Sequence, residues 1–482
     1  MFGMRSDSRH CAKGSVCLYI ISGLVAGIAL LDLRVRASDI HVPTDFPSIQ
    51  AAIDAAIPGD VIHLGPGRYN ERLTINKPLT LDGSGTNDCV LYCLTNVPIV
   101  SITGPGSCLL SNFEIEGGQY MGAEWYSGLA DLGIVASNAV LTMDTVVMNQ
   151  IKNYFVTVVD GSLHATNVSL WTRNVLAGCD VGFQLKGCTG SISNLRQDAG
   201  HLDHTININD PPAHHSDITI DNCTIRASGL DYGNCIRTYT DSNVRISHCY
   251  LYRNPSDAVP PFPAFNHNGV GINGYSNTLT IADNTFSNLP WAMYCVGSLG
   301  GNKVIVENNA ILNSPVGGII WDSMSYNGID LGGGNLGSEG GNVFSQFPAP
   351  STHFCGDILI TNLNGSSSAN IFALHNTWSN PTNRESVIYD KLDNPAFGRL
   401  ITDDLVITST GSDPAGKAVL TWNERGAGEK YTVQFRSDLA SGIWTNTPGT
   451  WPITNKSLND MRWTNSTANT ATIFYRISSL VP

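Results

Sequence analysis

The sequence predicts an all-β protein whose body is a right-handed single-stranded parallel β-helix, followed by a small antiparallel β-sandwich. Three observations predict it. A pattern of apolar-x-apolar-x-x-(apolar, Cys or Asn)-x-apolar recurs along the middle of the chain, with steps of 22 residues from Val146 to Val168, 26 from Cys223 to Cys249 and 25 from Asn284 to Asn309. No helical periodicity fills the space between the repeats, and the Leu-x-x-Leu-x-Leu pattern of leucine-rich repeats is absent. Charged residues make up only 14% of a chain that carries 48 glycines, a balance that favours turns and strands over helices.

The repeat appears as Leu110, Phe113, Ile115; Leu141, Met143, Val146, Met148; and Leu163, Ala165, Val168, Leu170. It returns as Ile218, Ile220, Cys223, Ile225; Val244, Ile246, Cys249, Leu251; Leu279, Ile281, Asn284, Phe286; and Val304, Val306, Asn309, Ile311. Each unit reads as two short strands with a bend between them, alternation sending one set of side chains inward. One unit cannot bury its apolar face alone, whereas stacked units share a continuous core. Ile220, Cys223, Ile246, Cys249, Ile281 and Val306 are therefore expected to be buried in register. Asn284 and Asn309, at equivalent inward positions, are expected to form an internal amide ladder. The longer step of 35 residues from Cys249 to Asn284 implies a loop inserted into a regular coil.

Residues 1–37 read as a signal peptide: Arg5, Arg9 and Lys13 precede an apolar run from Val16 to Leu31, and Val35-Arg36-Ala37 supplies a small-x-small cleavage site. The run is short for a membrane span. Export to the periplasm, the cell surface or the medium is expected, with no membrane span after signal removal and a monomeric chain. The formal net charge is −13, and the signal carries five of the 27 basic but only two of the 40 acidic residues. Removing it makes the chain more acidic, which argues against a nucleic-acid partner. An acidic polysaccharide would then need a local basic groove or bridging Ca²⁺, the one cofactor the chemistry could recruit. Ten cysteines lie beyond the signal. Their spacing contains no zinc motif, and Cys223 and Cys249 read as stacked core residues.

The stretch from Asp45 to Glu71, DFPSIQAAIDAAIPGDVIHLGPGRYNE, with its continuation LTINKPLTLDG at 73–83, resembles the opening of pectin-lyase-like right-handed parallel β-helix proteins built of PbH1 repeats. The resemblance covers roughly residues 40–395. It implies a helix capping the open end of the solenoid, to which Ile49, Ala52, Ile53 and Ala56 would contribute an apolar stripe. It does not choose an activity, because lyases, esterases, glycosidases, epimerases and non-enzymatic surface proteins share the fold. On this division the β-helix spans 38–400. Residues 401–482 form the accessory module, where Val419–Trp422, Tyr431–Phe435 and Ala471–Ile477 alternate as strands. That module is similar to fibronectin-type modules of secreted bacterial proteins, and attachment, substrate proximity or stability is its expected role.

In the resembled superfamily, substrate lies along one exposed parallel sheet. Aligning the strand that precedes each repeat at Phe183, Ile206, Ile236, Ile272 and Met293 gives an outward set of Gln184, Lys186, Asn207, Asn209, Arg237, Tyr239, Asn273, Tyr275 and Tyr294. Amides and aromatic faces suit a glycan. Ionisable groups cluster around this strip at Asp198, His201, Asp203 and His204, at Asp210, His214 and His215, at Asp231 and Asp241, and in the insertion from Tyr252 to His267. Such residues in bends also serve as turn-formers, and adjacent histidines without a third ligand do not make a metal site. The candidate catalytic set is His204, Asp203, Asp210, Arg237 and Tyr239; the candidate substrate-binding set is Lys186, Asn207, Asn209, Asn273, Tyr275 and Tyr294. Lyase chemistry on a uronate needs a cation for the carboxylate and a base for the C5 proton, for which Arg237, Lys186, His204 and Tyr239 are available. Hydrolysis needs two carboxylates, with Asp203, Asp210 and Asp241 the nearest supply. The expected function is cleavage of a polysaccharide, by a lyase ahead of a hydrolase; the alternative is a non-catalytic glycan-binding or surface-adhesion β-helix. Gly332–Gly341 lacks the Gly-Lys-Ser/Thr ending of a phosphate loop and reads as a coil-to-coil connection.

Overall fold

Inward-facing apolar residues on short strands can be covered only by the coil above and the coil below, and the computed structural model shows them doing so. It describes residues 37–93, 97–117, 132–171, 181–199, 202–209, 214–227, 233–239, 241–256, 268–273, 276–298, 301–323, 328–345, 356–361, 370–381, 384–390, 398–402, 407–422, 430–437, 443–447, 453–454, 461–468 and 473–480. The predicted signal peptide lies outside these residues apart from Ala37.

Among the described residues, twelve parallel strands stack into one sheet of the solenoid and twenty-three into the other. In the larger sheet each coil contributes one long strand or two short ones, such as Ser162–Thr166 with Ser169–Trp171. A single core cluster runs from Val42 to Leu400. The predicted register holds: Ile220 lies opposite Ile246, Ile246 opposite Ile281 and Ile281 opposite Val306, and these four with Cys223 and Cys249 are all at most 2% exposed.

The bend inside the repeat is a left-handed residue. Asn112, Thr145, Asn167, Asn194, Asn222, His248, Asp283 and Asn308 stack there with φ of 52–60°, a region that Asn and Asp tolerate best among residues with a Cβ. Outside the corner, Asn194 Nδ2 donates to Asn167 Oδ1 and Asn222 Nδ2 to Asn194 Oδ1. The residue that follows the corner points inward, which is why it is apolar, Cys or Asn. Where it is Asn, the amide ladder forms: Asn284 Nδ2 donates to Asn309 Oδ1 at 3.1 Å, Asn309 to Asn342 at 2.9 Å and Asn342 to Asn376 at 2.9 Å. Each rung satisfies a buried amide with its neighbour.

The end of the solenoid is covered as expected. Helix Ile49–Ala55 buries Ile49, Ala52 and Ile53. Ser48 Oγ accepts from Ala51 N, and the Glu71 carboxylate accepts from Ile49 N and Gln50 N at 2.9 Å each, so the free N–H groups of the first turn are paired. At the glycine-rich connection the backbone does cradle an anion, and the anion is internal. Asp330, 2% exposed, accepts from the N–H groups of Gly332, Gly334, Leu336, Gly337 and Ser338 at 3.0–3.3 Å.

Beyond the solenoid, antiparallel strands Ile407–Ser412, Lys417–Trp422 and Met461–Ala468 make one sheet. Strand Lys430–Arg436 pairs with Thr445–Asn446, Ile453–Thr454 and Phe474–Leu480 in another. Their facing side chains, Leu420, Trp422 and Trp463 against Tyr431, Val433, Tyr475 and Ile477, form a core cluster of their own. No described helix is long and apolar enough to cross a membrane.

Candidate functional site

The outer face of the twelve-stranded sheet carries the predicted residues, and its local geometry decides which of them meet. In the middle coils each strand starts with an outward residue, then turns two successive residues inward, as Phe155 with Val156, Cys235 with Ile236 and Ala292 with Met293 join the core. After this bend the alternation resumes. One outward row therefore runs Thr157, Gln184, Asn207, Arg237, Gly271, Tyr294. The row before the bend runs Tyr154, Val181, His204, Asn234, Asn268.

This register corrects the alignment of one coil. Val270, not Ile272, lies opposite Ile236, so the partner of Arg237 in the next coil is Gly271. Alternation has period two and is blind to a two-residue slip. Asn273 stays outward but moves to the row of Tyr239, its N–H donating to Thr238 O. Gly271 leaves room that Asn234 fills: a Cβ there would lie 2.5 Å from Asn234 Cγ.

His204 and Arg237 are brought together. Arg237 Nη1 lies 3.1 Å from His204 Nε2, and a guanidinium only donates. Asn234 N–H donates to Nδ1 at 3.2 Å and to Asp203 O at 2.9 Å, so both ring nitrogens face donors and a second proton on the ring is disfavoured. His204 is 8% exposed, and burial together with the neighbouring guanidinium pushes its pKa down to about 3. The imidazole is thus neutral at pH 7, and its place against the guanidinium suits it to orienting Arg237. Burial also lowers the pKa of Arg237, whose Cζ lies 5.2 Å from the centre of the Tyr239 ring. Tyr239 is 40% exposed.

The strip is less open than the sequence suggests. Gln184, Asn207 and Tyr294 point away from the core yet are only 5–7% exposed. Tyr294 packs with Trp291, Val316 and Ile320 in an outward apolar cluster, so it closes the strip and is not part of a polar groove. Asn207 Nδ2 donates to Gln184 Oε1 at 2.9 Å. Gln184 Nε2, Asn207 Oδ1, Arg237 Nε and Asn273 Oδ1 are buried without a hydrogen-bond partner. Four unmet polar atoms on neighbouring coils are unusual in a folded protein.

Lys186 and Asn209 share the row of Tyr239, both half-buried. Asp203 is half-buried at the entry to the His204 strand. Asp210 and Tyr275 lie outside the described residues. Asp241 is a turn-former: its φ is 48° and it faces His215 at 3.6 Å. His214 pairs with Asp160 at 2.6 Å. Among the described residues no three His, Cys, Asp or Glu side chains converge as a metal set. One cluster had no signal in the sequence. Arg68 pairs with Glu116 at 2.6 Å across 48 residues and lies over the Tyr92 ring, while burial raises the pKa of Glu114 beside them. Only the stacking of coils makes these residues neighbours.

The family model described as a right-handed β-helix region matches residues 161–335. No curated protein sequence matches the chain. Among solved structures, PfbA, a surface adhesin of Streptococcus pneumoniae, is similar with 14% identity over 78% of this chain and 94% of its own, TM-score 0.47. A family 28 exopolygalacturonase of Yersinia enterocolitica is similar with 11% identity over 67% and 78%, TM-score 0.39. Carrot pectin methylesterase follows with 13% identity over 65% and 88%, TM-score 0.33. The same parallel register runs through residues 161–335 and into the coils on either side, and the body of the protein is a right-handed parallel β-helix.

Proposed function

We propose that the chain is an exported, monomeric carbohydrate-active protein that binds an acidic polysaccharide across the outer face of the twelve-stranded sheet and cleaves it by β-elimination. The observation that supports this reading is Arg237, held by the neutral His204 beside buried amides with unmet hydrogen-bonding capacity. An arginine fixed in this way can neutralise a uronate carboxylate. The C5 proton then leaves to a base, the electron pair forms the C4–C5 double bond, the C4–O bond breaks and the leaving oxygen gains a proton. Tyr239 and Lys186 are the proton-transfer groups in the adjacent row. Gln184 and Asn207 supply hydrogen bonds to hydroxyls. Hydrolysis fits less well, because Asp241 is engaged with His215 at a bend.

The exposed Tyr239 and the Gln184–Asn207 amide pair could also hold a glycan with no proton transfer, which supports a non-catalytic binder as the second reading. A polysaccharide panel separates the two. Ultraviolet absorbance of an unsaturated uronate, lost in Arg237→Ala with normal melting, is the expected result. Reducing ends without that absorbance mean a hydrolase. Binding without turnover means the second reading, and full activity in both Arg237→Ala and His204→Ala puts the site elsewhere.

A further inference from the structure

The C-terminal sheet presents a second polar surface. Along Lys430–Arg436, Tyr431 and Val433 are fully buried, so Gln434 and Arg436 face outward. Gln434 lies opposite Arg476 on one neighbouring strand and opposite Asn446 on another. The three side chains join in a row: Arg476 Nε donates to Gln434 Oε1 at 2.8 Å, and Gln434 Nε2 donates to Asn446 Oδ1 at 2.9 Å. Trp444 lies beside this row, with Arg476 Cζ 4.7 Å and Arg436 Cζ 4.5 Å from its ring centre. Its neighbour Ile443 is 88% exposed.

We infer that this face, centred on Arg476 and Trp444, binds an acidic polysaccharide. Arg476 is exposed, and one of its five N–H donors is committed to Gln434. Its Nη groups have no carboxylate partner among the described residues. Stacking on the indole and the Nε bond hold the guanidinium in one orientation, so little rotamer freedom is lost when it grips an anion. The planar fork matches a carboxylate or sulfate through two parallel bonds. The exposed Ile443 and the Trp444 edge offer apolar cover to the sugar ring that carries the anion. Two guanidiniums brought together on a chain of net charge −13 make this a local cationic spot whose complement is a polyanion.

The test uses the full-length chain carrying Arg237→Ala, which removes the arginine of the β-helix face, and reads the change that Arg476→Ala makes in that background, so the result does not depend on the function proposed for that face. Binding to polygalacturonate, heparin, neutral dextran and a DNA duplex is measured by affinity electrophoresis at rising salt. Retention by polygalacturonate or heparin, weakened by salt and absent on dextran, is expected. Adding Arg476→Ala should weaken it at least about ten-fold, the loss of one bidentate charge-assisted contact, with unchanged melting. Arg476→Lys should fall between, because it keeps the charge and loses the fork. No retention by either acidic polysaccharide, full retention in Arg476→Ala, or equal binding of dextran or DNA would overturn the inference.

Discussion

Replacing Asp330 by alanine tests how the glycine-rich connection is held. Its carboxylate accepts five backbone N–H groups, and those of Gly332 and Ser338 are fully buried with it. The other three are partly open to water. A buried donor left without an acceptor costs roughly 1–3 kcal/mol, so the two buried groups set the loss at roughly 2–6 kcal/mol. Asp330→Asn should do no better. Its Oδ1 keeps two donors, but an NH2 group then faces the three that Oδ2 accepted. Stacked coils need not unfold in one step, so two readouts are needed: the denaturant midpoint, and hydrogen exchange at the amides of Gly332 to Ser338. Both variants should lose protection there first. If those amides stay protected and the midpoint does not move, the carboxylate is not what organises the loop.

Asp357 is fully buried and accepts from Ser379 N and Oγ, yet burial raises its pKa from 3.8 to about 6. The folded state then holds the proton more tightly than the unfolded chain, so this stability is present below about pH 4, is lost as pH rises towards about 6, and stays lost above. Asp357→Asn should flatten that segment of the stability curve and raise stability at pH 7 by up to about 3 kcal/mol; an unchanged pH profile would refute it. Ile246→Asp should disrupt the middle coils, because a buried unpaired carboxylate costs several kcal/mol, and circular dichroism would register the loss. Gly190 has φ +135°, and a Cβ there would overlap the Leu163 carbonyl, so Gly190→Ala should lower the melting temperature sharply. His204→Ala should reduce turnover on the acidic polysaccharide without shifting the pH optimum, since a group with pKa about 3 does not titrate near neutrality; a shifted optimum would make it an acid–base group.

The repeat, its core and its inward asparagines were legible in the sequence because neighbouring coils impose the same alternation on every strand. Ile246 and Asn309 announced their environment by type and spacing alone. The left-handed corner has its own trace there, in the Asn, Asp and His that precede most of the inward positions. What lies outward carries no such signal, because nothing repeats it. The two-residue slip at Ile272 kept every side chain on its correct face and still misplaced Asn273 relative to Arg237. That Asp330 turns a loop of glycines around itself, that Arg68 reaches Glu116, and that His204 faces Arg237 depend on distances across coils. Only the stacking sets those distances: it brings residues tens of positions apart to within about 5 Å, and it decides which polar groups lose water and so how they titrate.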